Sequence, residues 1–543
     1  MCKRFLTKTK MNPMKKQFFK SSIKWGVLAF FVALSSCTKD LDRTPFVEVT
    51  SATVYKDFSN YKQILAKVYA GLAVSGQQGP AGRPDISGID EGFSTYLRQY
   101  WKAQQLPTDE AVIGWNDGSL PDYHDMDWTS GNEFITAMYN RIFYQITLCN
   151  EFIRETTDAK LSERGISGEN LNQAKIFRAE ARFLRALSYY HALDMYGSVP
   201  FVTEADAVGS FLPRQASRTE LFSYVESELK AIESELLDAR TNEYGRADKG
   251  AAWALLAKLY LNAETYIGAA KYTECITYCN KVTAASYALE SDYNKLFLTD
   301  NNKSTEMIFP ITFDGTRTKT WGGMTFLVHA GVGGNMNPAD FGINGGWSGL
   351  RTTKALVEKF SDISGATDRR AMFHTNGQKL DISDIFTFND GYAITKYRNV
   401  SSTGVKGSDT EGNFPDTDFP MFRLADVYLM YAEATLRGGQ GGNQATALQY
   451  VNALRQRAYK GTSGNVTSIN LDFILDERAR ELYWEAHRRT DLIRFKKFTG
   501  SAYLWPWKGG VKDGRSVPDH LVLFPIPASD LVANPNLDQN GGY

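Results

Sequence analysis

Across residues 173–200 the apolar positions fall into two adjoining stripes at helical spacing. Ile176, Phe183, Leu187 and Tyr190 make one, Phe177, Ala181 and Leu184 the other, and Arg178, Arg182 and Arg185 share the remaining face. Two stripes need two partners. With many small Ala positions for close approach, the pattern predicts a helix inside a stack of helix pairs rather than one lying on a sheet. Gly197 and Pro200 end it. The same period appears at residues 51–73, where Tyr61, Ile64, Leu65, Val68 and Leu72 share one side, and at 132–156, 219–237, 247–263 and 269–282. Pairs of roughly 34 residues are the size of tetratricopeptide repeats, although the full repeat consensus is missing.

Helical periodicity returns at 422–437 and 444–459, joined by the glycine-rich turn Gly438–Gly442, and then at 472–498. In that last stretch Leu475, Ala479, Leu482 and Ala486 should face inward, with Glu477, Glu481, Glu485 and Arg488 on a solvated or ion-paired opposite face. Two regions break the pattern. Residues 75–87 hold Gly76, Gly79, Pro80, Gly82 and Pro84, and irregular, aromatic-rich sequence continues to about Trp128. Residues 285–420 are rich in Gly, Asn, Asp, Thr and aromatics, with short apolar runs at 307–311 and 326–328, and predict small strands and long loops. Long irregular segments in a compact protein are usually functional. The fold class expected is mainly α: a tetratricopeptide-like helix-pair array over about 51–284 and 420–498, with a loop-rich lobe over about 285–420 and a few short strands.

Composition changes this picture mainly at the N-terminus. The 61 basic and 61 acidic residues balance, but residues 1–36 hold eight Lys/Arg and no acid, leaving 53 basic against 61 acidic from residue 37 onward. An acidic body argues against a nucleic-acid partner. The basic start leads into ten apolar residues, 25–34, too short to span a bilayer. Leu34-Ser-Ser-Cys37 is similar to a bacterial lipobox, so cleavage before Cys37 and lipidation of that cysteine are expected, with residues 37–543 as one mature domain. Met11 or Met14 would serve equally well as the start. Residues 38–42, Thr-Lys-Asp-Leu-Asp, resemble the short tag that sends such lipoproteins to the cell surface in Bacteroidetes. Cys149, Cys275 and Cys279 suggest no disulfide framework and no zinc site.

No catalytic signature is present: no His-Glu-x-x-His, no Gly-x-Ser-x-Gly and no phosphate-binding glycine loop. His124, His191, His329, His374, His487 and His520 are scattered and read as structural. The neighbours Asp90-Glu91 and Asp109-Glu110 could in principle serve a glycosidase, which needs two carboxylates at a set separation. The tryptophans carry more information. Trp253 and Trp484 fall within helical patterns and read as core, whereas Trp115, Trp321 and Trp347 lie in glycine-flanked loops. An exposed indole can cover the apolar face of a sugar ring while neighbouring amides and charges take the hydroxyls. Each ring could instead pin its own loop, but three in similar settings favour the platform. Asp300-Asn301-Asn302 could ligate a structural calcium ion or form an ordinary polar turn, and no other cofactor is called for.

Several runs resemble the SusD/RagB family of outer-membrane nutrient-binding lipoproteins. They are Phe177-Arg-Ala-Glu-Ala-Arg-Phe-Leu-Arg-Ala with Tyr196-Gly197-Ser-Val-Pro200, then Phe422-Arg-Leu-Ala-Asp-Val-Tyr-Leu-Met-Tyr-Ala-Glu433 and Glu477-Arg-Ala-Arg-Glu-Leu482 with Arg488, Asp491-Leu492 and Arg494. Phe524-Pro-Ile-Pro527 and Asn534-Pro-Asn-Leu-Asp-Gln-Asn540 complete them in the family's order. Ala486 stands where the family usually has Gly, and Gly541-Gly542-Tyr543 replaces a usual Pro-Gly-Tyr ending. The resemblance implies a glycan-binding lipoprotein of the outer membrane, facing the cell surface, that passes its ligand to a SusC-like, TonB-dependent transporter. Residues 88–98, 108–111 and 115–117 are similar to the binding region of the family's starch-binding prototype. By that likeness Trp115, Trp321 and Trp347 would stack on glucose rings, and Asp90, Arg98 and Asn116 would hydrogen-bond hydroxyls. Starch or malto-oligosaccharide is the favoured ligand. Another glycan, a peptide-capturing role and a surface glycosidase are the alternatives, in that order.

Overall fold

The computed structural model describes residues 51–80, 82–209 and 211–543. The signal segment, Cys37 and the tag at 38–42 lie outside them. Residues Asp57–Tyr543 form one compact unit.

In chain order, α1 (Tyr61–Ala70) buries Tyr61, Leu65 and Val68, the stripe expected there. Residues 51–54 form a separate short helix, so the continuous element expected over 51–73 is interrupted. A second helix, α2 (Tyr96–Gln105), occupies a stretch that the sequence pattern leaves irregular. Its buried residues mix Leu97, Tyr100 and Trp101 with Gln99, Lys102, Gln104 and Gln105, so polar positions interrupt the apolar pattern that would mark it. Gln104 donates to Asp194 at 2.8 Å and Gln99 to the Phe93 carbonyl, pairing amides that burial would otherwise penalise. Strand β1 (Val112–Ile113) follows.

Helix α3 (Glu133–Glu155) starts where Asn132 Oδ1 accepts the amides of Phe134 and Ile135, both at 3.0 Å. Helix α4 (Gly168–Met195) carries the double stripe and packs against α3 on one side and α5 (Arg218–Ile232) on the other. Its arginines answer acids of α5: Arg182 and Arg185 each meet Glu228 at 2.9 Å. Helices α6 (Lys249–Leu261) and α7 (Tyr272–Thr283) pair next.

The lobe between contains β2 (Met307–Ile311), α8 (Gly323–Ala330), β3 (Leu350–Arg351) and long connections. The apolar run 326–328 therefore lies in a helix, not a strand; three residues cannot distinguish the two periods. Strand β4 (Phe419–Arg423) pairs antiparallel with β2 and leads directly into α9 (Leu424–Leu436). Helix α9 packs on α7 and on α10 (Gln444–Tyr459), which joins the C-terminal helices to the array.

The long helix expected over 472–498 is two: α11 (Leu471–Leu482) and α12 (Arg488–Arg494). Between them Trp484 and Ala486 both adopt φ of 62°. That left-handed conformation costs a residue with a Cβ about 1–2 kcal/mol and is free for Gly, which accounts for Gly at the position of Ala486 in the resembling family. Glu477, Glu481 and Glu485 are not solvated. All three are buried and ion-paired, Glu481 to Arg423 at 2.7 Å, to Arg370 at 3.2 Å and to Arg457, and Glu485 to Arg423 at 2.6 Å and Lys396 at 2.7 Å. Arg423 and Arg457 also share Glu306, each at 2.8 Å. Burial alone would raise Glu481, but the surrounding arginines, led by Arg457 and Arg423, hold its carboxyl down to about 2.

Asp300 accepts hydrogen bonds from the amide and hydroxyl of Ser402, and Asn301 donates to the carbonyls of Leu296 and Asp418, so both side chains are engaged in a polar turn. Trp484 is buried. Trp253 is half-buried and donates to Glu233 at 2.8 Å.

Candidate functional site

The three glycine-flanked tryptophans, 115, 321 and 347, come from separate parts of the chain and meet. The β1–β3 pair is antiparallel, Val112 opposite Arg351 and Ile113 opposite Leu350, and the ladder continues as the Gly114 amide donates to the Gly349 carbonyl at 2.9 Å. Trp115 is thereby laid beside the 347–349 loop, where its Nε1 donates to the Trp347 carbonyl at 3.2 Å. That loop is tied in turn to the C-terminal end of α8. The amides of Trp347, Ser348 and Gly349 donate to the carbonyls of His329, Val332 and Ala330 at 2.8–2.9 Å. Trp321 sits just before α8 begins. The same short helix therefore anchors two of the rings.

Trp347 is central. Its ring centroid lies 6.3 Å from that of Trp115 and 6.3 Å from that of Trp321, at 46° and 57°. Trp321 continues the row to Phe414 at 5.0 Å. His329 stacks behind Trp347 at 4.8 Å and 25°, with its two ring nitrogens against the carbonyls of Gly345 and Asn413. Burial lowers its pKa while those carbonyls pull the other way. All three indoles are half-buried, and Trp115 and Trp321 border open space. Glycines make this close approach feasible: a Cβ on Gly349 would stand 2.5 Å from two ring carbons of Trp115, and one on Gly322 would stand 2.1 Å from Thr95 Oγ1.

Beside the row is an open depression of about 480 Å³, lined by Asp90, Arg98, Trp115, Asp117 and Trp321, with Gly92 and Phe93. Arg98 comes from the first turn of α2. Its guanidinium lies 4.4 Å from the Phe326 ring centroid and 5.9 Å from that of Trp115, and Nη1 donates to the carbonyls of Gly92 at 3.2 Å and Trp321 at 3.3 Å. Burial draws its pKa down to about 10. Asp90 is exposed and accepts the Phe93 amide at 3.0 Å, which shapes the 90–93 turn. Asn116 is exposed next to Trp115 but lies outside the lining, and Asp117 takes the place facing the depression.

The carboxylate pairs considered for catalysis are separated in their settings. Glu91 turns inward to Ser75 Oγ at 2.9 Å, and burial pushes its carboxyl up to about 7, while Asp90 stays at the surface. Asp109 grips Arg488 with both oxygens at 2.6 Å, and Glu110 accepts the Trp484 amide at 3.2 Å, both buried among helices. Phe414, His329 and Asp117 were not among the sequence-derived candidates. Asp117 adjoins a glycine-flanked tryptophan and could have been read there. Nothing local marks Phe414 or His329.

Residues 45–261 match a family model described as starch-binding associating with outer membrane, and residues 375–543 match the SusD family model. Starch-binding protein SusD of Bacteroides thetaiotaomicron is 34% identical over 98% of this chain and the whole of that protein. The backbone resembles surface glycan-binding protein A from Bacteroides fluxus, with a TM-score of 0.68 at 20% identity over 89% of this chain and 99% of that one. Surface glycan-binding protein A from Bacteroides thetaiotaomicron, solved with laminarihexaose, gives 0.65 at 19% identity over 89% and 99%. All three relatives are named as binding proteins. A relative 34% identical over nearly the whole chain, with family models matching toward both ends, shows that this chain belongs to the SusD family.

Proposed function

We propose that the protein captures starch or malto-oligosaccharide at the outer face of the outer membrane and delivers it to a SusC-like, TonB-dependent transporter, breaking no bond itself. The observation that carries the reading is the row of half-buried Trp115, Trp347 and Trp321, the outer two of which line a polar depression. Successive indoles tilted at 46° and 57° to one another make no flat platform, which suits the turn of a helical α-glucan better than a flat chain. The apolar faces of the sugar rings cover the indoles. Asp90 and Asp117 accept from hydroxyls, and Arg98 donates through Nη2, which has no hydrogen-bond partner among the described residues. Asn116, exposed at the rim, serves a longer oligosaccharide. The starch-binding relative supports this ligand over other glycans. Lipid on Cys37 keeps receptor and transporter in one membrane and raises their effective concentration.

Electrophoresis through native gels containing amylopectin, other polysaccharides or none tests this reading, with Trp115→Ala, Trp321→Ala and Trp347→Ala in parallel. Retardation by amylopectin that weakens in the three variants is expected. Retardation only by another polysaccharide would keep the function and replace the ligand, and no retardation in any gel would overturn the glycan reading.

A further inference from the structure

A second concavity, of about 800 Å³, opens elsewhere in the loop-rich lobe, among the segments around Asp292–Leu298, Ala339–Asp340, Ser364–Phe373 and Thr395–Gly404. Three cations line it: Lys295, Arg369 and Arg398. None has a carboxylate within ion-pair distance among the described residues, although Arg370, the next residue to Arg369, is paired with Asp368 and Glu477, each at 2.8 Å. Of the two acids in the cleft, Asp292 faces Lys460 from outside the lining, while Asp340 places its charge near Arg398, which leaves three cations against two acids. Asp292 accepts the Asn294 amide at 3.2 Å and stands 3.6 Å from Lys460, and Asp340 accepts from Asn337 at 3.1 Å. The cleft therefore keeps a positive balance on a body whose charge from residue 37 onward is acidic.

Arg398 is held as a prepared donor. Its Nε donates to the Thr395 carbonyl at 3.2 Å and its guanidinium lies 5.2 Å from the Phe341 ring centroid, so the plane is fixed while both Nη groups lack a hydrogen-bond partner among the described residues. A fixed guanidinium fork matches the two oxygens of a carboxylate or sulfate. Half-buried Met372 and Phe373 supply an apolar wall, with Phe373 braced edge-on by Phe360 at 5.3 Å. Fork, wall and volume together fit one or two sugar rings carrying an oxyanion.

We propose that this cleft is a second ligand site for an anionic saccharide, a uronate carboxylate or a sulfate ester bound by Arg398 and Arg369. It shares no residue with the tryptophan row, so it does not depend on the starch reading. A surface receptor with both sites would hold a neutral glucan and an acidic sugar at once.

The test is calorimetric titration of the purified protein with trigalacturonate, glucose 6-sulfate, maltotriose and inorganic sulfate. Binding of trigalacturonate or glucose 6-sulfate is expected, weakening as salt rises and dropping at least tenfold in Arg398→Met and in Arg369→Gln, while Trp347→Ala leaves it intact. Arg369 is exposed and makes no side-chain ion pair among the described residues, so its variant keeps the fold even where Arg398→Met fails. The arm that binds decides between carboxylate and sulfate. Absence of both, inorganic sulfate binding as well as either sugar, or affinity unchanged in Arg369→Gln would overturn the proposal.

Discussion

Gly349→Ala isolates the geometry of the tryptophan row from its chemistry. The added methyl would stand 2.5 Å from two carbons of the Trp115 ring and 2.8 Å from its Nε1, where ordinary contact begins near 3.4 Å. The ring must give by roughly 1 Å, as the loop carrying residue 349 is pinned by amide bonds to α8. A shift of that size breaks the 3.2 Å bond from Nε1 to the Trp347 carbonyl. Because Trp115 is half-exposed it can swing outward, so the cost falls at the lower end of overpacking, about 1 kcal/mol of stability. Affinity should suffer more: losing one stacked ring costs about 1.4 kcal/mol, or tenfold in Kd. Calorimetric titration with a malto-oligosaccharide, beside thermal melts, reads both quantities. Gly345→Ala is the control, since nothing lies within 4 Å of its added methyl. Wild-type affinity in Gly349→Ala, or an equal loss in Gly345→Ala, would refute the claim that Trp115 is positioned by its contact with residue 349.

Three further outcomes are expected. Glu481→Gln removes the charge shared by Arg370, Arg423 and Arg457 in a buried setting and should cost about 3–5 kcal/mol in denaturant unfolding; a loss below about 1 kcal/mol would contradict the network. Burial raises Asp418 to about 7, so the folded state holds its proton more tightly than the unfolded chain, and its contribution to stability declines as pH rises from about 4 to 7. Asp418→Asn should flatten that part of the stability profile, and an unchanged slope would discount the assignment. Arg98→Met keeps the side chain's bulk over Phe326 but loses both bonds to the carbonyls of Gly92 and Trp321, so malto-oligosaccharide affinity should drop about tenfold with little change in melting; full affinity would remove Arg98 from the site.

The parts of the fold readable in advance were those with a local physical signal. Helix α10 was expected from its periodicity at 444–459 and has those bounds, with Asn443 capping its start and Lys460 turning left-handed at its end in the structure. Helix α2 was missed because Gln99, Lys102, Gln104 and Gln105 are buried among Leu97, Tyr100 and Trp101 and break up the apolar pattern those three would otherwise make. The break between α11 and α12 carries no Gly or Pro, since Trp484 and Ala486 bear the positive φ themselves. Glycine beside tryptophan has a packing reason in the structure: the ring of Trp115 leaves no space for a side chain at 349. The glutamates of α11 show the opposite case. Their spacing predicts a charged face, but the arginines that bury it come from residues 370, 423 and 457, and no local pattern reports partners so distant.

That shared charge cluster also sets an order of assembly. Glu306 is made first, then Arg370, Arg423 and Arg457, and the glutamates at 477, 481 and 485 only near the end of the 543-residue chain. Until they emerge from the ribosome, Arg423 and Arg457 share a single carboxylate, too little to offset stripping water from two guanidinium groups. The interior of the C-terminal half cannot close early. A nascent chain that stays open until its last eighth is being made remains threadable, which suits a protein whose proposed route crosses a membrane before it folds.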